Sequence, residues 1–141
     1  MRIERTRTFL LGLPRVEETL QWDRLVYWVL DKAVGGKMFA MLNPEPGGAH
    51  VLGFPSLPER LPELLEVEGI RPAPYLARAG WVVMDRWDVL PERELHPLLR
   101  EAYDRVESRM PRRAQRLLEL NTREYKALVR EKRAALKRPK A

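Results

Sequence analysis

The stretch RLVYWVLDKAVGGKMFAML, residues 24–42, predicts how the chain folds. Its two outer parts, 24–31 and 37–42, are rich in β-branched and aromatic side chains, which favour strands. Gly35 and Gly36 lie between them in a segment typical of a turn. Because two strands joined by a short turn pair antiparallel, the sequence predicts a β-hairpin here.

Two further segments extend this hairpin into a sheet. Residues 43–48, NPEPGG, have the composition of a turn, and 49–54, AHVLGF, follow as a third strand. Residues 80–87, GWVVMDRW, form a fourth strand, whose two faces both carry bulky apolar groups. The pattern predicts an antiparallel meander.

The segment between the third and fourth strands is predicted as a helix followed by irregular chain. Ser56 and Glu59 match a capping box, which predicts a helix from near Pro58 that ends at Gly69. The prolines within 70–79 remove backbone donors, so this stretch is predicted to be irregular.

Helical patterns flank the predicted sheet. Residues 2–11 predict a short helix, and 16–20 another helical turn. Residues 91–109 carry apolar side chains at the spacing of one buried helix face. A proline then precedes a last helical segment, 112–137. The fold class is therefore α+β, with an antiparallel sheet packed against N- and C-terminal helices.

The charge of the chain is divided unevenly. The net charge is +6, yet residues 1–108 hold 14 bases against 17 acids, a balance of −3. Residues 109–141 hold 12 bases against 3 acids, a balance of +9. A basic segment favours polyanionic partners such as nucleic acid. We divide the chain into a domain, 1–110, and a basic helical extension, 111–141.

Several classes of chemistry find little support in the sequence. The chain has no cysteine, which excludes disulfides and thiolate metal sites. His50 and His96 are the two histidines, and no cluster of acids accompanies either. No nucleophile-elbow, P-loop or dinucleotide motif occurs. We expect neither a metal nor a cofactor, and a protein that is not an enzyme. No apolar run approaches a membrane span, so we expect no membrane partner and a cytoplasmic location.

The aromatic residues near the fourth strand allow two interpretations. Tyr75 and Trp81 are assigned mainly to packing inside the sheet. The alternative is that exposed rings beside a basic groove stack on bases of nucleic acid. A small-ligand protein would instead need a concave site, and a pocket lined jointly by His50 and Tyr75 would favour that class.

One combination of motifs resembles a known family. LGLPRVEET (11–19) is followed by Trp22, then by GGKMFAML (35–42), and then by PAPYLARAGWVVM (72–84). The pair Ala102-Tyr103 lies in a helix that closes the series. Over residues 3–108 this order is similar to that of the MmcQ/YjbR family. Members commonly carry a glycine after the tryptophan, where this chain has Asp23.

The resemblance implies a fold and a function. The fold would be similar to that of bacterial frataxin (CyaY-like), with a helix at each end of an antiparallel sheet. The family is commonly described as DNA-binding through two β-hairpin wings, here near 24–42 and near 43–54 or 70–87. The basic tail lies beyond the family core and inherits nothing from it.

We therefore expect a non-enzymatic, sequence-nonspecific DNA-binding protein. The tail supplies Arg112, Arg113, Arg116, Arg130 and Arg133 as phosphate-binding residues, because a dense cationic segment binds phosphates by releasing counterions. The wings supply Lys37, Arg78 and Arg86. The alternative is a protein-interaction module, in which the leucines of the tail bind a partner or form a homodimer.

Overall fold

A computed structural model describes residues 2–45, 47 and 49–137, and shows one antiparallel sheet of six strands with helices packed on it. The predicted α+β fold is confirmed. The helices are α1 (Arg2–Leu11), α2 (Leu61–Leu65), α3 (Glu92–Ser108), α4 (Arg112–Gln115) and α5 (Thr122–Lys137). The strands are β1 (Val16–Gln21), β2 (Arg24–Val29), β3 (Lys37–Leu42), β4 (Leu52–Pro55), β5 (Ile70–Pro72) and β6 (Trp81–Met84).

The predicted central hairpin is present as β2 and β3. A single 3-10 turn, Lys32–Val34, joins the two strands, and the Asp31 side chain accepts a hydrogen bond from the Ala33 N–H to cap it. Gly35 follows with φ of 89°, a conformation that glycine adopts without steric cost. The strand order across the sheet is β1-β2-β3-β4-β6-β5.

The two faces of the sheet are covered differently. One face packs on α1 and α3 and forms the main core, in which Leu10, Tyr27, Phe39, Leu95 and Leu99 are buried. Because neighbouring side chains along a strand point to opposite faces, β6 places its other residues on the second face. There the β6 side chains of Trp81 and Val83 form a smaller cluster together with Ala73. The second face therefore carries apolar side chains of its own.

The interpretation of residues 16–20 as a helical turn is wrong. These residues belong to β1, which pairs antiparallel with β2 from Val16–Val29 to Gln21–Arg24. The hairpin loop consists of Trp22 and Asp23, with φ of 53° and 59°. Two left-handed residues define a type I′ turn, which usually carries Asn-Gly. The turn was not predicted because Trp-Asp occupies these positions.

The segment between β4 and β6 also differs from expectation. The Ser56 hydroxyl donates to the Leu57 carbonyl instead of capping a helix, and α2 is confined to Leu61–Leu65. Residues 70–79 are not wholly irregular, because Ile70–Pro72 forms β5 at the edge of the sheet. An edge strand tolerates a proline, since one side of it needs no donor. The strand predicted over 80–87 ends at Met84.

The predicted helix 112–137 is broken in the structure. A 3-10 turn, Arg116–Glu119, follows α4, and α5 begins anew at Thr122. The Asn121 side chain accepts a hydrogen bond from the Glu124 N–H at 2.8 Å, which is the geometry of an N-cap. Residues 138–141 of the predicted extension, and Pro46 and Gly48 of the predicted 43–48 turn, lie outside the described residues.

Helix α5 packs on the same core as the rest of the chain. Tyr125 and Val129 are 4% and 8% exposed and belong to the main cluster. The Tyr125 hydroxyl accepts a hydrogen bond from the Asp31 N–H at 2.9 Å. The extension thus contributes buried side chains to the body, and the division at residue 110 stays a prediction.

Candidate nucleic-acid interface

A cationic groove lies where α3 ends beside the start of β3. Its volume is about 270 Å³, and Lys37, Arg105 and Arg109 line it together with apolar residues. We call it the α3 groove. Among the residues that the structure describes, none of these three cations has a carboxylate within 4.0 Å, and no acidic residue lines the groove. Within the described residues, no ion pair therefore compensates its positive charge.

Two of these cations were missed by the sequence interpretation. Arg105 and Arg109 lie four residues apart at the C-terminal end of α3, so they share one side of the helix. That spacing could have predicted a pair of neighbouring cations from the sequence. Their proximity to Lys37, by contrast, depends on the packing of α3 on the sheet. Cations near a helix C-terminus also interact favourably with its dipole, which gives them a structural role as well.

Other predicted phosphate-binding residues lie next to this groove in the chain. Pro111 lines the groove and is followed by Arg112 and Arg113 in α4, both exposed. Ala79 also lines it and follows Arg78, which is exposed in the 3-10 turn Ala77–Ala79. Arg116 is exposed one turn further along. Predicted wing and tail residues are thus exposed at positions close in sequence to residues that line the groove.

Arg86 is placed differently from the other predicted wing residues. It follows β6, and its Nε lies 3.1 Å from the Asp88 carboxylate. Both side chains are largely exposed. An exposed pair of this kind contributes little to stability, but it neutralises the charge that Arg86 was predicted to offer.

A second cationic groove runs along α5. Its volume is about 560 Å³, and its lining includes Lys126, Arg130, Arg133, Lys137 and Glu17. We call it the α5 groove. Arg133 forms an ion pair with Asp31, whose side chain is only 7% exposed. Two acids therefore accompany the cations of this groove, and one of its cations holds α5 to the sheet.

The acids of β1 differ in their electrostatic surroundings. Burial, and then the charge of Asp31, raises the pKa of Glu17 above its usual value. A bidentate hydrogen bond from Arg7, at 2.7 Å for both contacts, lowers the pKa of Glu18. Tyr27 also donates to Glu18 at 2.6 Å. Adjacent side chains of one strand thus have opposite shifts because they lie on opposite faces.

A third groove, the sheet groove, lies on the face of the sheet that α1 and α3 leave uncovered. Its volume is about 490 Å³, and its lining includes both His50 and Tyr75. Tyr75 is fully exposed, at 104%, so its assignment to packing is wrong. Trp81, at 6%, is buried as expected. The joint placement of His50 and Tyr75 is the feature named above as favouring a small-ligand site.

The described residues offer no site for a metal ion. No group of three or more His, Asp or Glu side chains is arranged to bind one across residues 2–45, 47 and 49–137. His96 stacks on Phe9 with ring centroids 4.3 Å apart. In the same part of the chain, no helix is long and apolar enough to cross a membrane.

Comparison with known proteins assigns the chain to a family. The YjbR family profile matches residues 11–105, and the chain belongs to the YjbR family. The resemblance inferred from the motifs is confirmed. A solved structure, the Deinococcus radiodurans protein DR2400 with its DUF419 domain, superimposes with a TM-score of 0.72. The two sequences are 24% identical, over 84% of this chain and 88% of that one. No curated protein matches the sequence.

Proposed function

We propose that this YjbR-family protein is a non-enzymatic, cytoplasmic DNA-binding protein that contacts phosphates without reading the base sequence. The observation that carries the proposal is the α3 groove, where Lys37, Arg105 and Arg109 converge with no acid among its lining residues. Exposed Arg112, Arg113 and Arg116 extend the contact surface, and Arg78 adds to it from the turn before β6.

The energetics favour an anion at this end of the molecule. Three like charges that share a groove repel one another, and each lacks a carboxylate partner among the described residues. A phosphate backbone relieves that repulsion and releases its own counterions, which is the main source of non-specific affinity for DNA. We assign these cations to phosphates, which carry no sequence information, so the predicted affinity is independent of sequence.

The α5 groove contributes less in this proposal. Arg133 is engaged with Asp31, and Glu17 lines the same surface. A phosphate entering there meets a carboxylate as well as cations. Arg130 and Lys126 therefore act as secondary contacts.

The test is binding of labelled duplex DNA by the full chain, measured by fluorescence anisotropy at about 50 and 200 mM salt. We expect affinity to fall steeply between these salt concentrations. In the triple variant Lys37→Gln/Arg105→Gln/Arg109→Gln, loss of three phosphate contacts lowers the slope of log K against log salt by about 2.7. Two unrelated duplex sequences should bind equally.

A charge-matched variant serves as the control. Arg5→Gln/Arg60→Gln/Arg100→Gln lowers the net charge by the same amount, but each of these arginines already pairs with an acid. It should keep most of the affinity. No binding by the wild-type chain at either salt concentration, or equal losses in the two triple variants, contradicts the proposal.

The homodimer alternative has one observation in its favour. Leu136 of α5 is 74% exposed. Three other tail leucines are less available, because Leu117, Leu118 and Leu120 pack against the core of their own chain. A dimer that persists at high salt and does not bind DNA would favour this alternative.

A further inference from the structure

The sheet groove has the dimensions and lining of a small-molecule site. Met41, Gly53 and Val83 form part of its lining, from three neighbouring strands of the sheet. Gly53 places no side chain in the groove, and a Cβ added to it would lie in van der Waals contact with Val83 Cγ1, at 3.4 Å. Ligand sites are typically about 300–1,000 Å³ and mostly apolar, with a few polar groups. The volume of about 490 Å³ falls in this range.

Two exposed aromatic residues, Tyr75 and Trp22, flank the groove. Each has a positive φ, a backbone conformation that aromatic residues rarely adopt. The Leu76 N–H donates to the Ala73 carbonyl at 3.3 Å, and Tyr75 between them has φ of 65°. With Pro74 before it, this is a type II turn, whose third position favours glycine. Trp22 occupies the first central position of the type I′ turn, which favours asparagine or glycine.

The fold therefore does not explain why these two residues are aromatic. A left-handed residue with a side chain costs about 1–2 kcal/mol relative to glycine. Both rings are exposed, Trp22 at 68%, so burial does not repay that cost. What they have in common is that both line the sheet groove. Strained positions of this kind cluster at ligand sites.

The polar groups of the sheet groove provide one available positive charge. Arg24 lines the groove, and its guanidinium makes one long contact, 3.5 Å, to the Asp23 carbonyl. No carboxylate lies within 4.0 Å of it in the described part of the chain. The nearby Arg71 is already paired with Asp85 at 2.9 Å. Burial, followed by the charges of Arg24 and Arg71, lowers the pKa of His50, so its ring is neutral near pH 7.

We propose that the sheet groove binds a small molecule with a flat apolar ring and a single anionic group. The ring lies against the apolar lining and stacks on Tyr75 or Trp22, and the anion pairs with Arg24. Aromatic rings prefer offset or edge contacts with such partners, which are worth about 0.5–1.5 kcal/mol beyond their buried area.

Charge favours a small ligand over a single nucleic-acid strand. A strand that stacks its bases needs a row of cations along its backbone. Among the residues that the structure describes, the lining of the sheet groove offers one guanidinium without a carboxylate partner, that of Arg24, which complements one anionic group. Trp81 lines both grooves, but the cations that carry the two proposals are different: Arg24 in the sheet groove, and Lys37, Arg105 and Arg109 in the α3 groove. Either proposal can therefore fail without the other.

The test is NMR titration of the isotope-labelled full chain with two probes, naphthoate and the uncharged naphthalenemethanol. Naphthoate should shift the amide signals of Gly53 and Val83 and the indole signal of Trp22. Its affinity should be about tenfold higher than that of the alcohol, a difference of about 1.4 kcal/mol. Short oligothymidylate is titrated in parallel.

The variants are chosen so that the fold is preserved. Tyr75→Gly suits the type II turn, so it should keep or raise the melting temperature while weakening naphthoate binding by about fivefold. Arg24→Gln should make the two probes bind equally. Arg93→Gln removes an exposed arginine outside the groove and should leave both affinities unchanged.

Three results overturn the proposal. The first is an absence of groove shifts with naphthoate up to about 5 mM, well above the range in which specific sites bind. The second is equal affinity of the wild-type chain for both probes. The third is groove shifts produced by oligothymidylate alone, which would assign the surface to single-stranded nucleic acid.

Discussion

The α3 groove and the α5 groove contain similar numbers of cations, yet their charges serve different purposes. In the α5 groove, Arg133 pairs with the buried Asp31, and Glu17 lines the same surface. In the α3 groove no acid is present among the lining residues. The comparison teaches that the pairing of cations, and not their number, distinguishes cations that hold the fold together from cations that stay available to a partner. The tail is the most basic part of the chain, but part of its charge holds α5 in place.

We expect the greatest loss of stability from Tyr125→Ala. Tyr125 is 4% exposed and anchors α5 to the core. Removing a buried aromatic ring of this size costs about 3–5 kcal/mol of the free energy of unfolding, measured by urea denaturation. Tyr125→Phe is the control, because it keeps the ring and loses the hydroxyl that accepts a hydrogen bond from the Asp31 N–H, at a cost of about 1 kcal/mol. A loss below about 1 kcal/mol in Tyr125→Ala would show that α5 is not part of the core.

Arg133→Gln should lower stability more than DNA affinity. It leaves the Asp31 carboxylate buried without its cation. Because Arg133 itself is half-exposed, we expect a cost of about 1–2 kcal/mol, less than for a fully buried pair. Lys126→Gln changes the net charge equally and touches no buried acid, so unfolding should be unaffected. If both variants unfold alike, the Arg133–Asp31 pair is not structural.

The contributions of Glu17 and Glu18 to the free energy of unfolding should change with pH in opposite directions. Glu18 has a lowered pKa in the folded state, so it stabilises the fold above its unfolded pKa and loses this effect as the pH falls through the folded value. At pH 7 we expect Glu18→Gln to cost about 1 kcal/mol, since the half-exposed Arg7 is screened by water. Near pH 3 the difference from wild type should shrink.

For Glu17 the sign is reversed. Its folded pKa is raised, so its favourable contribution is present below the unfolded pKa and lost as the pH rises through the folded one. Glu17→Gln should therefore not destabilise the protein at pH 7. Urea unfolding of both variants at several pH values checks these two predictions. Stability profiles that run parallel with pH would contradict the opposite pKa shifts of Glu17 and Glu18.

We expect the smallest effect from Arg86→Gln. The Arg86–Asp88 pair is exposed, so its loss should change the free energy of unfolding by less than about 0.5 kcal/mol. Its effect on DNA affinity should also be smaller than that of Lys37→Gln, because Arg86 is already neutralised. Anisotropy titrations of the two single variants compare them directly, and a larger loss for Arg86→Gln would restore it as a principal contact.

Local patterns in the sequence predicted much of the fold, and nonlocal contacts account for most of what they missed. The central hairpin and α3 were predicted because their apolar spacing and turn residues agree. Strand β1 was missed because Trp22 and Asp23 stand where a type I′ turn usually has Asn-Gly. The break before α5 rests on a single cap by Asn121.

The candidate sites were harder to predict than the fold. The α3 groove joins Lys37 to Arg105 and Arg109, which lie 68 and 72 positions further along the chain, and no local pattern can show this. The exposure of Tyr75 follows from a positive φ that a tyrosine rarely adopts. The sequence indicated a basic surface, but only the structure distinguishes paired from unpaired cations.

The most direct test compares the two cationic grooves at equal net charge. One full-length variant carries Lys37→Gln/Arg105→Gln/Arg109→Gln. The other carries Lys126→Gln/Arg130→Gln/Lys137→Gln, which removes the other three cations that line the α5 groove in the described part of the chain but keeps the Arg133–Asp31 pair. The measurement is duplex DNA affinity at about 50 mM salt, where electrostatic contacts are strongest. We expect the first variant to bind at least about tenfold more weakly than the second. Equal affinities, or a greater loss in the second, would contradict the central claim that unpaired cations of the α3 groove form the DNA interface.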